Sequence, residues 1–289
     1  MELGNSLALQ FWVDKSQLKE GVEYYAVLTR TFADEKAKET TTVPMSQWLS
    51  TDGHYLIKYG NLAAKEMTDE VSVQIFEKGG RLVSNKFTDS IREYAMWMLA
   101  YYETISGEEE LVTVMIDMLN YGAAAQNQFG YAKDDLANNQ LTDAQQGKAT
   151  QTIEPQDHWS SLNKKATTSN LALESNIVLR IWFENVTAGM YAEVSYKDHY
   201  GRPVEKTIQY ADFVVENNGQ HVVAIDTLVV ADGSQIVTCT MYNADGTVFD
   251  TCTESVESYV YIMRVHNLDT YGLYEAIMKF VDSSYSYFH

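Results

Sequence analysis

Two halves of this chain answer one another along their length, so its fold must be built from a unit small enough to occur twice. Gln10 to Val13 (QFWV) answers Arg180 to Phe183 (RIWF), and Ser46 to Tyr59 answers Ala211 to Ile225 with one residue inserted. Glu70 to Ile91 answers Gln235 to Val256 at a constant offset of 165, and Asn120 to Phe129 answers Lys279 to Phe288 at an offset of 159. The reading is a tandem duplication, with a first module over 1–139, a linker over 140–170 and a second, divergent copy over 171–289.

Within each copy the hydrophobic period changes once. From Leu7 to Phe87, short runs rich in Val, Thr, Tyr and Phe are punctuated by Gly and Asp, which is strand spacing. Strands are expected at 7–13, 23–30, 39–45, 54–60, 70–76 and 81–87, the last two joined by a turn at Lys78-Gly79-Gly80. Ser90 with Glu93, and Ser106 with Glu109, then form S-x-x-E boxes that each cap a helix. The second helix, Leu111 to Phe129, is apolar around most of its circumference and is expected to be buried. Gly122 and Ala123 to Ala125 leave one patch on it without bulk, where another element can approach closely. Strands followed by helices give an α+β class: two tandem modules, each a small antiparallel β-sandwich or curled sheet followed by a helical pair. The polar stretch after Phe129 has no period, and Tyr131, Leu136 and Trp159 are its expected anchors.

Charge narrows the partners. With 21 Lys and Arg against 40 Asp and Glu, the formal net charge of -19 repels a phosphate backbone or an anionic membrane surface, so no nucleic-acid partner is expected. No membrane insertion is expected either, because the longest apolar run, Val222 to Ala231, is broken by Asp226 and too short to span a bilayer. Neither a signal peptide nor an anchor is visible in these residues.

Chemistry finds little purchase. The six histidines stand singly without ligand spacing, so no metal and no cofactor are expected. There is no G-x-S-x-G elbow and no cysteine signature of a nucleophile. The two carboxylates of a glycosidase need only meet in space, but few acids match between the halves, which favours a chain that is not an enzyme. Glu108 to Glu110 fit the positive end of a helix better than a metal site. Asn243, Asp245 and Asp250 fit a D-G hairpin turn better than a calcium loop. A two-residue Asp245-Gly246 turn places Cys239 opposite Cys252, leaving open a cross-strand disulfide or a pair of buried thiols. For binding, YKDHYGRP gathers Tyr196, His199, Tyr200 and Arg202 in one loop, residue types enriched at interface hot spots, whereas its counterpart TFADEKAK is charged. The plainer reading is an ordinary loop whose tyrosines cover the sheet edge.

The S-x-x-E-Y helix (Ser90 to Tyr94), the N-Y-G-A-A-A-Q-x-x-F-G-Y helix (Asn120 to Tyr131) and the D-x-L-A-N tail (Asp134 to Asn138) resemble a module repeated in large surface proteins of gut Firmicutes. The resemblance covers nearly the whole chain, although Val281 to Tyr285 depart from G-A-A-A-Q. Such proteins include immunoglobulin-binding, superantigen-like members. The resemblance implies an extracellular, non-catalytic binding region of a cell-surface protein, monomeric within a longer chain, whose partner is an antibody heavy-chain variable domain engaged by framework contacts. A carbohydrate-binding adhesin module and a structural stalk repeat are the alternatives.

Overall fold

The computed structural model describes residues 2–3, 7–173 and 176–289. The first half runs β1 (Glu2–Leu3), β2 (Leu7–Asp14), β3 (Tyr24–Thr31), β4 (Lys38–Pro44), β5 (Leu49–Ser50), β6 (His54–Leu62), β7 (Glu70–Glu77), β8 (Phe87–Asp89), α1 (Ile91–Tyr102) and α2 (Glu109–Phe129). A short α3 (Asp143–Gln146) follows. The second half runs β9 (Ser160–Ser161), β10 (Ala166–Leu173), β11 (Ile177–Phe183), β12 (Tyr191–Lys197), β13 (Pro203–Gln209), β14 (Val214–Val215), β15 (His221–Ile225), β16 (Val237–Tyr242), β17 (Val248–Glu254), α4 (Val256–Val265) and α5 (Leu273–Tyr287). The class is mixed α+β.

All strand pairs are antiparallel, and the two halves order them alike. One sheet reads β1-β2-β6-β5 in the first half and β10-β11-β15-β14 in the second; the other reads β4-β3-β7-β8 and β13-β12-β16-β17, with β9 added at its edge. Alternation explains which faces are buried. β3 buries Tyr24, Ala26, Leu28 and Arg30, and β12 buries Ala192, Val194 and Tyr196.

The pairing corrects the constant offset read from the sequence. Ala26 lies opposite Ile75 and Ala192 opposite Met241, so β7 and β16 correspond at 166. Val71, Val73 and Ile75 then match Val237, Cys239 and Met241, all buried, whereas an offset of 165 would match Val71 to Ile236, which is 48% exposed. A slip of one residue exchanges the faces of a strand, so the core decides the register. The extra residue is absorbed in the hairpin: Val71 faces Asp89 while Val237 faces Glu254, restoring 165 from there on.

Three local expectations also change. Of the strand expected over 81–87 only Phe87 pairs as a strand, within Phe87–Asp89, because Leu82 bridges Phe76 while Phe87 faces Val73, leaving four residues opposite two and forcing a bulge. Ser90 does cap α1, accepting from the Glu93 amide at 3.0 Å, but Ser106 does not cap α2. Gly107, at φ +91°, turns the chain between them, and Glu108 takes the capping position instead. Finally, part of the expected linker joins the second half's sheets as β9 and most of β10.

α2 is buried along most of its length, as its composition requires. Its small patch receives the turn Ala64–Glu66: a Cβ built on Gly122 would sit 2.5 Å from Met67 Sδ, 3.0 Å from Ala137 Cβ and 3.2 Å from the Ala64 carbonyl oxygen. The second half makes the same contact with the sizes exchanged. Val281, the counterpart of Gly122, packs on Gly233, the counterpart of Met67; a Cβ there would lie 2.5 Å from Val281 Cγ2. α2 and α5 also pack on each other. Tyr121 stacks on Phe280, its own counterpart, at 6.0 Å, while Asp117, one turn earlier, lies beside Ser283, nearly one turn later, so the helices run antiparallel about a local pseudo-two-fold axis. One continuous apolar core results.

Candidate binding surfaces

The loop between β12 and β13 is organised by Asp198. Its Oδ1 accepts the Tyr200 and Arg202 amides at 3.0 and 2.8 Å, and its Oδ2 accepts Arg202 Nε at 2.7 Å. The Arg202 guanidinium holds this carboxyl below its ordinary range. Arg202 in turn lies 4.7 Å above the Tyr200 ring, and Tyr200 is 53% exposed. Of the four residues singled out by sequence, His199, Tyr200 and Arg202 come together here.

Tyr196 does not. It shares the inward face of β12 with Ala192 and Val194, and its hydroxyl donates to the Thr227 carbonyl oxygen at 3.1 Å. The period-2 rule, applied from Ala192, would have excluded it. His199 is mostly covered, with its amide and Nδ1 both 2.7 Å from Asp232 Oδ1. Its ring touches Tyr200 (4.1 Å) and Phe288 (5.3 Å), and Tyr285 stacks on His289 at 4.1 Å. The end of α5 thus joins the loop in one aromatic cluster. Sequence reasoning missed this, because the only signal was the YSYFH run some ninety residues away.

The cysteines face each other as the turn argument required, Cys239 opposite Cys252, but as buried free thiols. Cys252 Sγ lies 3.6 Å from the Cys239 carbonyl oxygen. The turn itself is a three-residue loop, Ala244 to Gly246, whose extra residue is offset by a bulge at Met241–Tyr242. Asp245 caps that loop through Thr247. Asp250 is fully buried, and its oxygens accept from Ser161 Oγ and from the amides of Asn163, Lys165 and Ala166.

In the first half the strongest titration shifts belong to packing. Asp69 is fully buried and accepts from Arg30 Nε (2.7 Å), the Ala33 amide (2.8 Å) and the Tyr131 hydroxyl (2.6 Å). Burial pushes its carboxyl up against those bonds, and burial with the Asp69 contact pushes the Tyr131 phenol up. These groups tie the sheet to the chain leaving α2.

A second surface was not anticipated at all. Between β2 and β8, under α1, lies a groove of about 780 Å³ lined by Phe11, Trp12, Phe87, Tyr94 and Trp97, with Asp14, Asp89 and Glu93 on its walls. Trp12 and Trp97 are each 59% exposed and Phe87 57%. Tyr94, Trp97 and Tyr101 form a stripe on α1, with Trp97 stacked on Tyr101 at 5.8 Å. The spacing of that stripe was visible in the sequence, but its emptiness depends on what β2 and β8 leave uncovered.

Where α2 meets α5, Asp282 is pushed up to about 6 by burial first and then by Glu257 and Asp117. A raised carboxylate favours the folded state below its unfolded value near 3.8 and loses that advantage as pH rises through about 6. Asp282→Asn is therefore expected to stabilise the protein at pH 7 by on the order of 1 kcal/mol, allowing for solvent screening. The gain should vanish in urea melts at pH 3.5 to 4; an equal gain at both pH values would assign it to packing.

Among the described residues, no helix is long and apolar enough to cross a membrane, and no group of three or more His, Cys, Asp or Glu is placed to hold a metal ion. No protein-family model matches the chain, and no curated protein matches it. Among solved structures it is similar to one described as a tetra-tandem repeat in the extending region of a large adhesion protein, at 10% identity and a TM-score of 0.20. The match covers 86% of this chain and 49% of that one, so the chain spans about half the length of the structure it matches.

Proposed function

We propose that the chain is a non-catalytic binding region of an extracellular surface protein, made of two copies of one α+β module, and that the second copy engages an antibody heavy-chain variable domain. The observation that carries this reading is the preorganised loop at Asp198–Arg202. An exposed Tyr stacked under an Arg, itself locked by a carboxylate, is an anchor whose conformational entropy is largely spent before binding. The exchanged sizes at Gly122/Met67 and Val281/Gly233 support the duplication, since one packing problem is solved twice with opposite assignments. The partner's identity follows from the resemblance stated above.

Tyr200→Ala with Arg202→Ala is expected to weaken antibody binding by at least about tenfold with little change in the thermal midpoint. Unaltered titration curves would move the site away from this loop. A carbohydrate-binding reading is favoured by one separate observation, the exposed Trp12 and Trp97 beside carboxylates. A glycan array on the same preparation separates the two, and silence in both assays would leave a stalk repeat.

A further inference from the structure

On the second module, the segment leading into it closes two sheet edges at once. β9 pairs with β17, Ser161 opposite Cys252 and Ser160 opposite Thr253, and β10 then pairs with β11 from Ala166–Phe183 to Leu173–Ile177. Side chains fix the crossing. Asp250 holds Ser161, Asn163, Lys165 and Ala166 at 2.6 to 2.9 Å, Lys165 pairs with Glu184 at 2.7 Å, and the Ser169 hydroxyl bonds Glu254.

The first module presents the same two edges with no such segment among the described residues. β8 is paired with β7 on one side, and β2 from Phe11 to Asp14 is paired with β6 on one side; β1 reaches only Leu7 and Ala8. The groove of about 780 Å³ lies between these edges. The offset of 170 that matches Gln10 to Arg180 makes Asp14 the counterpart of Glu184, and the offset of 165 makes Asn85 and Asp89 the counterparts of Asp250 and Glu254. All three line the groove. Its acids are therefore placed where the second module receives a lysine and a serine of an incoming strand.

We propose that this groove is a strand-accepting site, filled by an extended, lysine-bearing linker of an adjoining copy of the module, which adds to β8 and then to β2 as residues 160–171 add to β17 and β11. Open strand edges supply backbone pairing, and Trp12, Phe87 and Trp97 supply the apolar cover that makes such pairing hold in water. The proposal is independent of the second-module loop and of the antibody reading.

The probe is a synthetic peptide of residues 157–171 (DHWSSLNKKATTSNL) titrated into the whole chain. Saturable binding is expected, with slowed amide exchange at Phe11–Asp14 and Phe87–Asp89. Replacing Lys164 and Lys165 of the peptide by Glu, or Asp14→Lys on the protein, should each weaken binding by about tenfold. The peptide change cannot unfold the protein, so the result stands even if the Asp14 variant is destabilised. A scrambled peptide binding equally well, protection confined to other strands, or no binding at about 1 mM would overturn the proposal. So would an oligosaccharide that quenches the groove tryptophans and blocks the peptide without protecting those amides.

Discussion

Gly122→Val is expected to lower the unfolding free energy by about 3 kcal/mol, the upper part of the range for overpacked cores. The Cβ alone would lie 2.5 Å from Met67 Sδ, 3.0 Å from Ala137 Cβ and 3.2 Å from a backbone oxygen, so a shift of the flexible Met67 tip relieves only part of the clash. Two γ-methyls add to the clash. The second half has accepted this very side chain by placing Gly233 where the first half has Met67. Met67→Gly in the Gly122→Val background should therefore be less harmful than the two single losses added together, by about 1–3 kcal/mol of coupling. Urea melts of the two singles and the double decide it. Strict additivity would mean that the two positions do not share one space, and the exchanged-size account of the duplication would fall with it.

Asp250→Ala should cost about 3 kcal/mol or more, because it strips one acceptor from three backbone amides and one hydroxyl at once. Its signature is local. Amide exchange at residues 163–166 should rise with the loss, since those amides are held by this carboxylate. Burial pushes the Asp250 carboxyl up, but these bonds outweigh it and leave its value below 3.8. A depressed carboxylate contributes stability above its unfolded value, and that stability disappears as pH falls through the folded value. Acid should thus loosen the incoming segment of the parent below about pH 4, while the Ala variant, loosened already, shows no such step. A variant with unchanged exchange at 163–166 would place the hold on this segment elsewhere.

Strand-then-helix order, the buried α2 and the close approach at Gly122 were legible, because period and side-chain size are local properties of a sequence. What escaped it was non-local. Whether β7 corresponds to β16 at 165 or 166 is decided by which residues face the core, and Ile236 and Val237 look alike until one is found in water. Tyr196 looked like an interface tyrosine because its neighbours were read by type rather than by face. The groove was invisible for a different reason: Trp12 and Trp97 line it only because no strand covers β2 and β8, and a sequence does not display the edges it leaves open.

The contact of Tyr121 with Phe280 also sets a timetable. These residues lie 159 positions apart. A ribosome adding about 5–20 residues per second would expose the outer face of α2 for roughly 8–30 s before α5 emerges to cover it. During that interval the nascent first half is a docked sheet with an apolar helix facing outward, a chaperone client by its chemistry. Once α5 arrives, its packing on α2 joins the two halves, so on the ribosome this contact forms only after every strand of the first half has been synthesised.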